Sequence, residues 1–123
     1  MAQNAFKRSD RLGHLLQREI GNVLQLEVND PRLRFVSVTG VRLADDLKDA
    51  TVFVSIMGED KQKTFDRLLG AVSFIRTCTG KRCYLKFVPR LNFKLDLTAE
   101  RASRIDNLLR EMHSGDDREA TPE

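Results

Sequence analysis

Residues 29–43, NDPRLRFVSVTGVRL, carry the clearest signals for the fold of this 123-residue chain. Pro31 lacks a backbone N–H and restricts the residue before it, so a preceding helix must end here. Val36 and Val38 then alternate with polar residues, which is typical of a strand with one buried face. After Gly40 the apolar positions change parity, as expected if one extra residue bulges from the ladder. The segment therefore predicts a helix end followed by a bulged strand.

The flanking sequence predicts a helix before this strand and a second strand after it. Residues 9–26 show the three- and four-residue apolar spacing of an amphipathic helix, with Ser9 as its N-cap. Asp45 and Asp46 predict a turn, and the alternation in residues 50–57 predicts the second strand. Because the connection is short, we expect the two strands to pair antiparallel.

The second half of the chain predicts two helices and an edge strand. Residues 61–79 follow a helical pattern that small and β-branched residues weaken at 70–73, where we expect a kink. Gly80 is expected to close this helical stretch. Apolar residues then alternate from 84 to 96, and Pro89 favours a position at the sheet edge.

The chain is expected to end in a short helix over residues 97–112 and an acidic tail over residues 113–123. The tail has almost no apolar residue to bury, so ordering it would cost backbone entropy with little return. We therefore expect one domain over residues 1–112 and a disordered tail. The element order predicts an α+β fold, helix–strand–strand–helix–kink–helix–strand plus a terminal helix, with a three-stranded sheet packed by helices.

The charge distribution favours a polyanionic partner. The tail carries four acidic residues and one arginine, so the rest of the chain has a formal charge of +6 although the whole carries +3. Lys86, Arg90 and Lys94 are expected to form a basic stripe on one side of the edge strand. Protection of that edge against aggregation would also explain these charges. The start of the first helix carries a second basic cluster, which an ordinary solvated helix face would also explain: Lys7, Arg8, Arg11, His14 and Arg18.

Catalytic, metal and cofactor signatures are missing from the sequence. Cys78 and Cys83 lack Cys-x-x-Cys spacing and predict two reduced thiols rather than a zinc or redox site. Only His14 and His113 titrate near neutrality when unperturbed, and no phosphate-binding or dinucleotide-binding glycine motif occurs. An acylphosphatase-like hydrolase is the enzyme alternative, but no glycine-rich loop accompanies an arginine. We expect no enzymatic activity, cofactor or metal.

Membrane insertion and secretion are also not predicted. No apolar run approaches the ~20 residues that span a bilayer, and residues 1–9 lack the apolar stretch of a secretory signal. We therefore expect a cytoplasmic protein. Since no apolar stripe is left without a place in one core, we also expect a monomer.

Several segments resemble the ribosome-binding factor A family, whose fold is a type II KH domain. In chain order the resembling segments are RL at 11–12, QREI at 17–20, DPRL at 30–33, VSVT at 36–39, DLKDATVFVS at 46–55, FIR at 74–76, and PRLNF at 89–93 with Asp96. The resemblance runs from about Ser9 to Met112. KH domains commonly join their two central helices through Gly-x-x-Gly, which does not occur here. The family instead has a kink written Ala-x-Gly, and this chain has Ala71-Val72-Ser73 at that place, so a positive φ would be disfavoured at the serine.

This resemblance implies a role in ribosome assembly without catalysis. Such proteins bind free, immature 30S subunits, assist late maturation and 5′-end processing of 16S rRNA, leave before translation, and are often associated with growth in the cold. Arginines and lysines would neutralise phosphates and set orientation, while recognition would come from rRNA shape and splayed bases.

The expected RNA-contacting surface runs from the kink to the edge strand, because basic residues flank the kink and the strand stripe continues the charge. Its predicted members are Ala71, Val72, Ser73, Arg76, Lys81, Arg82, Lys86, Arg90 and Lys94, with Arg8 and Arg11 as second choices. Two alternatives stay open. One is a protein-interaction module that docks on ribosomal proteins, and the other is a generic single-stranded RNA binder, which the missing Gly-x-x-Gly disfavours.

Overall fold

The computed structural model describes residues 2–98 and 108–110 of the chain. In order, the elements are helix α1 (Ala2–Leu26), a 3-10 helix (Pro31–Phe35), strands β1 (Val36–Leu43) and β2 (Asp49–Ile56), helices α2 (Lys61–Gly70) and α3 (Val72–Cys83), and strand β3 (Arg90–Leu95). This order confirms the predicted α+β class and the succession of two strands, two helices and a further strand.

Within the described residues the sheet has three strands in the order β1-β2-β3. β1 and β2 pair antiparallel, as predicted, whereas β2 and β3 pair parallel. The register shifts between Val38 and Gly40, so the predicted bulge is confirmed and Thr39 is the extra residue. Its hydroxyl lies 2.7 Å from Asp96 Oδ2 and 3.2 Å from the Phe53 carbonyl, and its one proton can be donated to either oxygen. β3 lies at the sheet edge, as Pro89 indicated.

The DPRL stretch joins three elements at one corner. The Asp30 side chain accepts from the Arg32 N–H at 3.0 Å and so caps the 3-10 helix, while Leu33 is fully buried. Arg32 Nη1 donates to Thr64 Oγ1 of α2 at 3.1 Å. Arg67 of α2 forms an ion pair with Asp30 at 3.0 Å, which lowers the pKa of that carboxyl. This corner therefore ties the end of α1 to the helices of the second half.

The core lies between one face of the sheet and the helices. Alternate residues of β2 are buried, as the period of two predicted. The buried apolar residues of the core are Leu16, Ile20, Val23, Leu24, Val28, Leu33, Val36, Ala50, Val52, Val54, Ile56, Leu68, Ile75, Cys83, Leu91 and Phe93. The far face of the sheet is half-buried on β2 and exposed on most of β3.

The first helix is longer than predicted. α1 begins at Ala2, and Ser9 lies inside it rather than at its N-cap. Residues 2–8 contain no proline or glycine, so no helix breaker separates them from the amphipathic segment, and the helix continues through the serine.

β3 begins at Arg90, so the prediction of a strand from residue 84 was wrong. α3 continues to Cys83, and Tyr84 caps it in the left-handed conformation with φ 55°. Residues 84–89 form a loop, which we call the α3–β3 loop. Gly80 therefore does not close the helix.

Gly80 instead permits a close contact between α3 and the α3–β3 loop. A Cβ added to Gly80 would lie 2.5 Å from Val88 Cγ2. Only a glycine lets the valine side chain approach the helix backbone this closely. The contact sets the distance between α3 and the chain entering β3.

The terminal helix and tail are only partly covered by the structure. The Asp96 side chain accepts from the Thr98 N–H at 2.9 Å, and Leu108–Arg110 are helical. The remaining residues of the predicted helix, 99–107 and 111–112, and the predicted tail 113–123 lie outside the described residues. The division into a domain and a disordered tail stays a prediction.

We expect Gly80→Ala to lower the free energy of unfolding by about 1–3 kcal/mol, because the new methyl group must displace Val88. Gly21→Ala is the matched control: Gly21 lies in the interior of α1, and outside its own helix no described atom would come within 4 Å of an added Cβ. Alanine should raise stability there by up to about 1 kcal/mol. Urea unfolding followed by circular dichroism measures both changes, and equal stability of the two variants would contradict the close contact.

Candidate nucleic-acid interface

The predicted kink is present between α2 and α3. Ala71 has φ −100° and ψ 4°, and its N–H bonds to the Leu68 carbonyl at 3.0 Å in a tighter turn than an α-helix makes. Ser73 lies in the first turn of α3, exposed, and its carbonyl accepts from the Thr77 hydroxyl at 3.0 Å. Ser73 does not have a positive φ. The kink therefore forms without a glycine at position 73.

A surface groove opens between the start of α3 and the segment leading into β3. Its volume is about 550 Å³. We call it the α3–β3 groove, and its lining residues are Val72, Ser73, Arg76, Thr77, Lys86, Phe87, Val88, Arg90 and Leu91. Five predicted RNA-contacting residues are thus brought together here: Val72, Ser73, Arg76, Lys86 and Arg90. Ala71 lies at the kink directly before them.

Arg76 holds one wall of this groove. Its Nη2 donates to the Val88 carbonyl at 2.6 Å and its Nε donates to the Pro89 carbonyl at 3.1 Å. Because the planar guanidinium binds two successive carbonyls, it fixes both the orientation and the position of the loop backbone. Two of the five N–H donors of Arg76 are thus used inside the protein.

Lys86, Arg90 and Lys94 are exposed along the groove and β3, but they do not form the predicted stripe on one pleated strand. Lys86 lies in the α3–β3 loop, whereas Arg90 and Lys94 lie on β3. Arg90 Nε is 3.3 Å from Asp49 Oδ1, and the two side chains are 75% and 44% exposed. A pair this exposed is weak, so Arg90 can exchange its partner for a phosphate.

Arg82 does not line the groove, and its place on the RNA-contacting surface stays a prediction. It forms ion pairs with Glu19 of α1 at 2.9 Å and with Glu27, which directly follows α1, at 3.0 Å. These hydrogen bonds raise the pKa of Arg82, and the Arg82 hydrogen bond lowers the pKa of Glu19. Arg82 thus joins α3 to α1. Lys81 is exposed in the last turn of α3 and does not line the groove.

The two second-choice arginines lie elsewhere. Arg8 lines a separate groove of about 860 Å³ between α1 and β1, together with His14, Arg42 and the acidic residues Asp10 and Asp45. Arg11 is exposed on α1 and lines neither groove. This second groove mixes both signs of charge, so it is a weaker candidate for binding a polyanion.

Two exposed aromatic residues of the α3–β3 loop were missed by the sequence prediction, and one of them, Phe87, lines the α3–β3 groove. Tyr84 is 94% exposed and Phe87 is 82% exposed, although the alternating pattern had placed Phe87 on a buried strand face. The signal that could have revealed this is the apolar pair Val88-Pro89, which interrupts the alternation. Val88 takes the inward position beside Gly80, and Phe87 is turned outward.

The cysteines and the helices complete the chemical inventory. Cys78 is half-buried, Cys83 is buried, and both thiols are free. Burial raises the pKa of each thiol, so both are protonated at neutral pH and weak as nucleophiles. No helix in the described part of the chain is long and apolar enough to cross a membrane.

Comparison with known proteins gives consistent matches over most of the chain. The sequence model of the family described as "Ribosome-binding factor A" matches residues 8–109. A ribosome-binding factor A from Syntrophus aciditrophicus (strain SB) is 44% identical over 110 residues, which cover 88% of this chain and 89% of the relative.

Solved structures agree with this match. The crystal structure of ribosome-binding factor A from Thermus thermophilus superimposes with a TM-score of 0.63 at 26% identity, covering 71% of this chain and 94% of that one. A homology model of the Thermus thermophilus factor, fitted into a cryo-EM map of its complex with the 30S subunit, gives a TM-score of 0.59 at 26% identity and covers 68% and 90%.

The Glu19–Arg82 pair makes a prediction about acid stability. Since the folded-state pKa of Glu19 is lowered, its contribution is present above the unfolded-state pKa and is lost as the pH falls through the folded-state value. We expect Glu19→Gln to be less stable at neutral pH and to lose less stability between about pH 5 and about pH 3.

Urea midpoints measured across this pH range test the expectation. Glu59→Gln is the matched control, because Glu59 is an exposed glutamate in the turn before α2. If the two variants lost stability equally steeply with falling pH, the ion pair would not contribute to the acid response.

Proposed function

Because this chain belongs to the ribosome-binding factor A family, we propose that it binds the free, immature 30S subunit and assists late maturation and 5′-end processing of 16S rRNA without catalysing a reaction. The 30S complex of the Thermus thermophilus factor supports the choice of subunit. The observation that most directly supports RNA contact is the α3–β3 groove, where exposed cations surround a cleft next to the kink.

The cations of this surface divide into fixed and available groups. Arg76 is held by the Val88 and Pro89 carbonyls and keeps the groove open. Lys86, Arg90 and Lys94 are exposed and can approach phosphates. Phosphate contacts of this kind orient a protein on RNA without reading its sequence, so recognition follows from the shape of the folded rRNA.

The division into fixed and available cations accounts for binding through phosphate contacts, for which no catalytic site is needed. Neutralising phosphates releases bound counterions, and this release gives affinity that depends strongly on salt. The protein would act by holding an rRNA conformation that processing enzymes recognise and then dissociating. We propose that it does so as a cytoplasmic monomer without a cofactor, and that the need for it increases in the cold.

A protein-docking role is the second candidate, and one surface favours it. Phe35 and Met57 are 57% and 68% exposed, and the Met57 N–H donates to the Phe35 carbonyl at 3.0 Å. These neighbouring apolar side chains at the end of the β1–β2 pair would suit a ribosomal protein. This candidate predicts binding to purified ribosomal proteins in the absence of rRNA.

Co-sedimentation with purified 30S subunits, 50S subunits and 70S ribosomes over a salt series tests the proposed function. We expect selective binding to 30S that weakens steeply as salt rises. Equal binding to all three particles would reduce the protein to a general RNA binder. Absence of binding at low salt would contradict the proposal and favour the protein-docking role.

Removing the available cations should weaken 30S binding. We expect alanine at Lys86, Arg90 and Lys94 together to lower affinity by at least about 10-fold and to make the dependence of log affinity on log salt shallower by about 2–3. The control variant replaces Arg18, Arg34 and Lys63, which are exposed outside the groove, and changes the net charge equally. If both variants lost affinity to the same degree, net charge rather than this surface would account for binding.

A further inference from the structure

The α3–β3 loop presents two aromatic rings to solvent, and one of them, Phe87, lines the groove. Tyr84 and Phe87 are 94% and 82% exposed. A single exposed apolar side chain is common on protein surfaces and needs no explanation. Two rings on one six-residue loop, with one of them lining the groove, are a more specific arrangement.

The loop that carries these rings is held at both ends. At its start, the Leu85 N–H donates to the Gly80 carbonyl at 3.0 Å. At its end, Arg76 binds the Val88 and Pro89 carbonyls, and the Arg90 N–H donates to the Lys48 carbonyl at 2.8 Å. The backbone is therefore fixed, and the outward position of the rings is not a result of a loose segment.

The side chains of the loop divide into inward-facing and exposed ones. Val88 packs inward on Gly80, and Leu85 packs against the core. Tyr84, Lys86 and Phe87 remain exposed. Because the backbone that carries the rings is held, only their side-chain torsions lose freedom when a ligand stacks on them.

The charges around the rings identify the kind of ligand. Lys86 Nζ lies 5.9 Å from the centre of the Phe87 ring, and Arg76 and Arg90 line the same groove. Asp49, paired with Arg90, is an acidic residue at the end of this surface. Aromatic faces next to several cations match a nucleotide chain, whose bases stack while its phosphates bind the cations.

We propose that Phe87, with Tyr84 beside it on the same loop, forms a stacking platform for unpaired bases of the rRNA at the mouth of the α3–β3 groove. The inference rests on the proposed function and adds the class of rRNA element that is bound. Bases inside an A-form duplex are stacked on each other and offer no free face to a side chain. The platform therefore selects a bulge, a loop or a single-stranded end rather than a regular helix.

The test compares variants of the full chain in binding to purified 30S subunits. Tyr84→Leu/Phe87→Leu keeps two apolar side chains but removes both aromatic faces. We expect it to bind about 10- to 100-fold more weakly than the unaltered protein, with an unchanged salt slope because no phosphate-binding cation is removed. Phe74→Leu is the matched control, because Phe74 is also an exposed phenylalanine, at 49%, but does not line the groove. It should bind normally.

A second measurement identifies what the rings touch. Ultraviolet cross-linking of the complex, followed by digestion and mass spectrometry, should give a nucleotide adduct on Phe87 or Tyr84. Loss of affinity without any adduct at these residues would overturn the proposal and assign the rings to a ribosomal protein.

The outcomes separate this inference from the proposed function. Undiminished 30S binding by the double leucine variant, with a flattened salt slope in the Lys86, Arg90 and Lys94 variant, would overturn the stacking platform and leave the proposed function intact. Failure of the unaltered protein to bind 30S at low salt would overturn both.

Discussion

The contact between α3 and the α3–β3 loop is the constraint on which the rest of the site depends. Gly80 lets Val88 approach the helix backbone, and Arg76 holds the carbonyls of Val88 and Pro89. Parallel strands cannot be joined by a short hairpin, so α2 and α3 must carry the chain from β2 back to the start of β3. The contact between α3 and the α3–β3 loop fixes the point at which the chain rejoins the sheet. It thereby sets the position of β3, the width of the groove and the exposure of the aromatic rings together.

Local sequence patterns were sufficient to predict the elements but not this contact. The alternation of β2, the bulge at Thr39 and the weak helical positions at the kink each follow from neighbours in sequence, and all are present. The start of β3 depends instead on Val88 packing against Gly80, eight residues earlier. That packing reverses which residue of the Phe87-Val88 pair faces inward, and an apolar count along the chain cannot detect the reversal.

The arginines show the same limit in the candidate site. Sequence alone grouped Arg76, Arg82 and Arg90 as equivalent basic residues close to the kink and edge strand. In the structure Arg82 pairs with Glu19 on α1 and with Glu27 directly after it, Arg76 supports the loop backbone, and Arg90 is largely exposed. Their different roles come from partners 12 to 63 residues away in sequence, so no local motif distinguishes them. Charge alone predicted a basic surface, whereas the fold was needed to show which residues line the groove.

The parallel pairing of β3 also determines when the α3–β3 groove forms as the chain folds. β1 and β2 are joined by a short turn and can pair early, whereas the first β3 pair joins Asp49 to Arg90, 41 residues apart. Because a loop of this length must close before the contacts that stabilise it can form, pairing is slow and β3 joins the sheet late. The groove requires β3, and an incompletely synthesised chain that ends before residue 90 has no complete groove. A nascent chain still attached to a ribosome thus completes the α3–β3 groove only when most of its synthesis is finished.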